Sequence, residues 1–358
     1  MERMKPRRRY PVTAGGNLQF RRCPGRERLI QFQTVYPLTP AAAAPYSFPA
    51  FFGKNHSMQP EQNGAGVRRR PPWKWTDGAA YRLLRRAEWA RRRLWFDGFW
   101  ERRIRRMARS NAGRRLERPV VHLYAPCRNE QRILPYFMAH YGPFVDRFFI
   151  YDNMSTDATR ALLAGHSNVE IVSLDTGGQF AHVERERMKN HAWKASAGKA
   201  DFVLVCDVDE FLYHPQLALM KRHGYTVLRP HGYQMACEKL PEFDGTPITA
   251  RVQAGMDVAS HYSKTILFDP NRVEEIHFSQ GCHCSRPEGR IKTFHSNHAK
   301  LLHYKYVDRD EILRKTRTYR ANVSPESLAK GYGRHYLRSD EETMALYDRI
   351  LAGARKVI

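Results

Sequence analysis

The sequence has no long apolar run, little cysteine and few acidic residues at one end, and each shortage excludes something. The longest stretch without a charge, residues 29–53, is interrupted by Pro37, Pro40, Pro45 and Pro49 and carries Gln31, Gln33 and Thr34. Four prolines would break a membrane-spanning helix repeatedly and leave its freed carbonyls facing lipid. They also spoil the stretch as a signal-peptide apolar region. Six scattered cysteines in 358 residues fit no small disulfide framework. A chain this long builds a core without such staples. The sequence therefore reads as cytoplasmic. Residues 1–118 hold 28 Lys+Arg but only 8 Asp+Glu, whereas residues 119–358 hold 32 and 28. A basic excess over the whole chain would point to nucleic acid. Confined to one end, it marks an appendage on a nearly balanced domain.

Three segments follow from this asymmetry. Residues 1–72 place the charge clusters Arg7–Arg9 and Arg68–Arg70 around a Pro/Ala-rich stretch without a period, and read as a disordered extension. A start at Met58 would leave residues 1–57 untranslated. Residues 73–117 form a basic segment. Within 73–110, arginines mix with Trp73, Trp75, Trp89, Trp95 and Trp100, and Phe96, Trp100, Ile104 and Met107 recur at helical spacing. This predicts an amphipathic helix or helix pair. One reading lays it on an anionic membrane surface with its tryptophans at headgroup level. The other packs it on the main domain with its arginines in solvent.

From residue 118 to 358 the pattern is α/β. Residues 120–125 (VVHLYA), 148–151 (FFIY), 169–174 and 202–206 (FVLVC) read as strands, with helices between them over 135–141, 158–164 and 180–197. Such alternation predicts a mostly parallel sheet flanked by helices. Residues 225–228, 248–252 and 265–268 read as further strands, and 308–319 as a charged helix.

The chemistry gathers at strand ends. Asp207-Val208-Asp209 follows FVLVC. In extended chain, residues two apart face the same way, so both carboxylates project together at the carboxyl end of the strand, where ligands of parallel α/β sheets bind. Carboxylates so placed repel unless a divalent cation neutralises them, and their oxygens suit Mg²⁺ or Mn²⁺. Glu210 reads as support for this turn. Asp152, Asn153, Ser155 and Asp157 end the second strand, and Asn129 and Glu130 follow the first. Asp152 is expected to point into the same crevice as Asp207 and Asp209. Cys282-His283-Cys284, with His277, His295 and His298, does not match structural zinc, whose ligand pairs are spaced roughly C-x2–4-C or H-x3–5-H. It reads as a reduced loop near the acceptor.

Taken in order, Cys127-Arg-Asn-Glu130, Tyr136-Phe-Met-Ala-His-Tyr141, Phe149-Ile-Tyr-Asp-Asn-Met-Ser-Thr-Asp157, Cys206-Asp-Val-Asp-Glu-Phe-Leu212, Lys264-Thr-Ile-Leu-Phe268 and Leu302-His-Tyr304 resemble the GT-A glycosyltransferases, bacterial family 2-like enzymes related to family 92. The resemblance covers about 119–336. It implies a nucleotide-sugar donor, Mn²⁺ or Mg²⁺, and transfer to a glycan or lipid-linked acceptor, with inversion at the anomeric carbon. It assigns Asn129, Glu130 and Asp152 to the nucleoside side, Asp207 and Asp209 to metal and diphosphate, and Arg185 and Asn190 to donor contacts. It gives the metal a later histidine, His303 or alternatively His277. An inverting enzyme needs a base for the acceptor hydroxyl; Glu238, Glu242, Asp244 and Asp257 are available, and Asp244 is taken as the candidate.

Two rivals stand beside this reading. A sugar nucleotidyltransferase also joins an α/β sheet to a diphosphate, but its first loop is normally glycine-rich and Cys127-Arg-Asn-Glu130 is not. A nucleic-acid-binding protein would use the Arg/Trp-rich arm for backbone contact and base stacking, which leaves the carboxylates at the strand ends without a purpose. The leading expectation is a metal-dependent glycosyltransferase, cytoplasmic or peripheral on the inner face of the membrane.

Overall fold

The apolar runs become the centre of one mixed sheet. The computed structural model describes residues 21–22, 27–30 and 98–358, except 177–181, 214, 258–263, 280–281, 283 and 330–332. Four parallel strands, β1 (Val121–Cys127), β2 (Arg147–Asp152), β3 (Val169–Leu174) and β4 (Phe202–Val205), lie in the order β3-β2-β1-β4. β1 and β4 are buried at every position, as strands covered on both faces must be. The sheet continues through β5 (Glu210–Tyr213), β6 (Val227–Ala236), β7 (Leu267–Phe268) and β8 (Thr293–Tyr306) in the order β4-β7-β6-β8-β5. β7 runs antiparallel to both β4 and β6, β8 is parallel to β6, and β5 is antiparallel to β8. The expected α/β architecture, a mostly parallel sheet flanked by helices, is thus present.

Helix α1 (98–110) precedes the sheet, and α2 (Leu134–Tyr141), α3 (Thr159–Ala164) and α4 (His182–His191) connect its parallel strands. Pro135 opens α2, where a missing N–H does no harm. Beyond β8 come α5 (Arg309–Asn322), capped by the Asp308 carboxylate, and α6 (Asp340–Gly353), which opens on a Ser339/Glu342 capping box. Because β1, β2 and β4 are parallel, their carboxyl ends and the loops that follow share one edge, and that edge carries the site. Among the described residues no helix is long and apolar enough to cross a membrane.

Two expectations change. Residues 248–252 are not a strand: Ile248–Arg251 is one helical turn that buries Ile248, entered from Pro247. The run is too short for its β-branched content to decide, and tertiary burial does. In the N-terminal segment expected to be disordered, Glu27–Ile30 pairs in parallel with β3; an open parallel edge offers unpaired backbone groups to any extended segment. The remainder of 1–72, and 73–97 of the basic segment, lie outside the described residues.

Where the basic segment is described, it packs on the domain. Ile104 and Met107 of α1 are buried in the main core. Trp100 meets Tyr225 and Phe294 edge-on, each at 6.2 Å between ring centroids, and Arg103 Nε donates to the Tyr225 hydroxyl at 2.8 Å. Arg102, Arg105, Arg106 and Arg109 stay exposed. This predicts that Ile104→Ala in the full chain lowers unfolding stability by about 2–5 kcal/mol, the range for emptying a buried aliphatic site. Arg106→Ala should leave it nearly unchanged. Denaturant unfolding of both variants measures this; equal midpoints would show that α1 is not part of the core.

Candidate active site

The Asp207–Glu210 turn is built around a buried ion pair. Glu210 and Lys264 have side chains only 2 % and 1 % exposed, and Lys264 Nζ lies 2.6 Å from Glu210 Oε1. The other carboxylate oxygen accepts from the Asp207 N–H at 3.0 Å, and the Glu210 N–H donates back to the Asp207 carbonyl at 3.0 Å. The Tyr141 hydroxyl donates to the Glu210 carbonyl at 2.8 Å, and Tyr304 N–H to the Asp209 carbonyl at 2.8 Å. Val208 is buried in the core. Asp207 and Asp209 therefore face a common cleft of about 340 Å³, through a turn rather than the extended chain expected. Glu210 has the supporting role read from the sequence.

Each carboxylate is held ionised, by different partners. Burial works against the Asp207 charge, but Lys189, Arg185 and Lys264 outweigh it and hold its carboxyl well below the usual range. Lys189 Nζ and Arg185 Nη2 each lie 2.7 Å from Asp207 Oδ1. Burial likewise opposes ionisation of Asp209, and His303 with Lys315 overcomes it. His303 Nε2 stands 3.3 Å from Asp209 Oδ2. The Gln234 amide fixes the ring: its Nε2 donates to the His303 carbonyl at 2.9 Å, which turns its Oε1 to His303 Nδ1 at 3.1 Å. Nδ1 thus carries a proton, and Nε2 is directed at a carboxylate. A lone pair facing a carboxylate requires a positive charge there, either a proton on Nε2 or a cation between the two.

Mn²⁺ or Mg²⁺ fits this arrangement in part. Among the described residues no three His, Cys, Asp or Glu side chains converge as a ready-made cage. Asp209 and His303 supply two converging ligand atoms, and Asp207 lines the same cleft with one oxygen committed to Lys189 and Arg185. Such an ion draws its remaining ligands from phosphate and water, as Mg²⁺ usually does.

The other expected residues divide. Glu130 lines the cleft, its Oε2 2.5 Å from Lys315 Nζ. Burial pushes its carboxyl up to about 7, Lys315 pulling down and Asp209 pushing up. Arg185 lines the cleft through its pair with Asp207. Asn129 adopts φ 53°, a left-handed conformation that Asn tolerates, and clamps the β1 and β2 loops together: its N–H donates to Ser155 Oγ, and its side-chain oxygen accepts from Thr156 N–H at 2.7 Å. Asp152 does not point into the crevice. It is fully buried, with Arg160 Nη1 2.8 Å away and the Ser155 N–H on its oxygens, and it does not line the cleft. Asn190 holds the backbone of Phe278 in both directions. His277 is exposed and lies 3.2 Å from Glu288, away from the cleft, so His303 is the histidine beside Asp209. Asp244 sits on the surface, paired with Arg251 and capping its own turn at Thr246, outside the cleft. Exposed loop chemistry had made it available, but the fold does not bring it to Asp209.

Sequence reasoning missed Lys189 and Lys315. Each is one cation within a charged helical stretch, and only the fold turns it inward. Lys264 stood in a quoted motif without a role.

No family model matches the chain, and no curated protein matches it. Among solved structures, it is similar to glucosyl-3-phosphoglycerate synthase from Mycobacterium tuberculosis with Mn²⁺, uridine diphosphate and glucosyl-3-phosphoglycerate, at 18 % identity over 35 % of this chain and 47 % of that one, TM-score 0.21. The same synthase with Mn²⁺, uridine diphosphate and phosphoglyceric acid gives 18 %, 35 %, 46 % and 0.23. A 4-diphosphocytidyl-2C-methyl-D-erythritol synthase is 12 % identical over 44 % of this chain and 78 % of its own, TM-score 0.25. The chain spans less than half the length of the mycobacterial synthase.

Two outcomes follow from the electrostatics. Lys264→Met leaves Glu210 charged and alone in the interior, and should cost about 3–5 kcal/mol. Adding Glu210→Gln to it should recover part of that loss in denaturant unfolding; no recovery would show that the pair does not act as a unit. Separately, Asp209→Asn removes a neighbouring negative charge, so the midpoint of Glu130 should fall from about 7. Carboxyl carbon NMR of labelled metal-free protein reads the shift; an unchanged midpoint would leave burial as the sole cause.

Proposed function

We propose that the protein is a GT-A-type glycosyltransferase that takes a sugar from a nucleotide-sugar donor with the help of Mn²⁺ or Mg²⁺. The reading is carried by one observation: Asp209 Oδ2 and His303 Nε2 face each other on the cleft that Asp207 also lines, with His303 Nδ1 already occupied by Gln234. A carboxylate and a histidine so directed, at the carboxyl end of a parallel strand, are a place to hold a divalent ion and through it a diphosphate. An ion held by Asp209 and His303, with Asp207 on the same cleft, would supply charge to stabilise the departing nucleoside diphosphate. Lys189 and Arg185 keep Asp207 ionised and stand at the same diphosphate. Glu130, with Asn129 shaping its loop, bounds the nucleoside side. Asp152 serves that side indirectly, by fixing the turn that Asn129 grips.

Family resemblance favours direct displacement with inversion, in which a carboxylate takes the proton of the acceptor hydroxyl. Asp244 lies outside the cleft and is not offered again as that base. The acceptor is read as a glycan or lipid-linked glycan. The exposed arginines of α1 would favour an anionic membrane surface beside such an acceptor. The loop after β1, Cys127-Arg-Asn-Glu130, has no glycine, which counts against nucleotidyl transfer.

The test is donor hydrolysis across a panel of nucleotide sugars, with and without Mn²⁺. Asp209→Ala and His303→Ala should abolish the metal-dependent rate while leaving the fold intact. Gln234→Leu should weaken Mn²⁺ by about 10–100-fold, the usual effect of losing an outer-shell partner. Undiminished turnover of any donor in chelator would overturn the metal assignment.

A further inference from the structure

The cleft carries more positive charge than its acids and a donor diphosphate use. Six Lys and Arg residues line it against four Asp and Glu. Three of these cations, and Lys264 behind them, are already matched: Arg185 and Lys189 on Asp207, Lys315 on Glu130, Lys264 on Glu210. Lys305 is not matched. It sits on β8 two residues beyond His303 and lines the same cleft. Its ammonium lies 5.5 Å from the Tyr336 ring centre and 5.9 Å from that of Tyr306, and no ion pair forms with it among the described residues. Arg338, two residues after Tyr336, lines the same end of the cleft with an exposed side chain.

Resting on the glycosyl-transfer reading, we propose that Lys305 and Arg338 bind a phosphate group carried by the acceptor. The two charges of a nucleotide sugar's diphosphate would be met by a divalent ion held at Asp209 and His303. Lys305 and Arg338 are then left to meet a second anion, such as a phosphate monoester of charge roughly −1.5 to −2. The two cations suit that anion differently: the lysine is a compact charge held between aromatic faces, and the arginine presents a planar fork to phosphate oxygens. The tyrosines exclude water beside the ammonium, which strengthens its attraction for an anion. The phosphate would anchor the acceptor at the end of the cleft beyond His303, leaving a hydroxyl of the same molecule to approach the sugar.

The donor's own phosphates have the same chemistry, so the experiment separates the two sources. Inorganic phosphate is titrated by calorimetry into protein saturated with Mn²⁺ and whichever of UDP, GDP or dTDP binds most tightly. Phosphate should bind on top of the nucleotide. Lys305→Met should weaken it by at least about tenfold, the loss expected for a charged hydrogen bond, with nucleotide affinity unchanged. Arg338→Ala, at an exposed side chain that the fold does not need, should weaken phosphate in the same direction. If Lys305→Met weakens the nucleotide as much as phosphate, the residue serves the donor and the acceptor assignment is overturned. Unaltered phosphate binding in both variants overturns it as well. Failure of the transfer reading looks different: no nucleoside diphosphate binds the wild-type protein, while phosphate binding still depends on Lys305. An anion site then remains, and its assignment to an acceptor is overturned.

Discussion

The Glu210–Lys264 pair is the constraint on which the cleft depends. Two charges almost wholly removed from water are expensive, and their mutual attraction offsets that only when every remaining lone pair and proton is used. Here the glutamate's are used: one Glu210 oxygen takes the lysine, the other takes the Asp207 amide, and the Glu210 carbonyl takes the Tyr141 hydroxyl. The pair therefore fixes the backbone of the turn that presents Asp207 and Asp209. From there charge alternates outward, Lys264 to Glu210, then Asp207 to Lys189 and Arg185. Each member is tolerated because the next has the opposite sign. A hydrophobic replacement of the inner pair could match its stability, but it would not hold the Asp207 amide.

The loops above this turn are tied with comparable economy of donors. Asn129 and Ser155 join the ends of β1 and β2, Glu130 N–H donates to Thr159 Oγ1, and Gln131 N–H reaches Asp157 Oδ2. Asp157 also caps α3 through the Thr159 amide. These bonds explain why the motif between Asp152 and Asp157 contains so many short polar side chains: most of them bond backbone. Glu130 lines the cleft with Asn153, and there Lys315 of α5 meets it. Preorganisation of this kind positions a ligand through groups already ordered before it arrives.

This contrast marks what could be read from the sequence. Strands β1 to β4 were legible because each is an apolar run bounded by polar turn residues, and Asp207 and Asp209 were legible because they follow such a run. The role of Glu210 as support followed from the same turn. Asp152 was misplaced in the crevice because a strand end predicts direction only while the chain stays extended, and its carboxylate instead meets a half-buried Arg160. β8, the longest strand, was not anticipated. Its sequence, TFHSNHAKLLHYKY, alternates only partly, and its register shifts between His295 and Lys300 and again between His303 and Tyr306. The cations that matter most are silent in sequence, since a lysine on a charged helix looks the same whether it meets water or Glu130.

The two aspartates of the motif are therefore not equivalent. Asp207 already has two cations on one oxygen, so a metal approaching it must share the carboxylate with Lys189 and Arg185. Among the described residues, Asp209 has His303 Nε2 before it at 3.3 Å, and these two would hold a divalent ion. In the proposed reading the divalent ion belongs first to Asp209 and His303. Asp207 instead organises the lysine and arginine that would meet the same diphosphate from the other side. In that reading, a diphosphate between the metal and two fixed cations would have the developing charge of the leaving group divided between them, and neither would need to bind it tightly enough to trap the product.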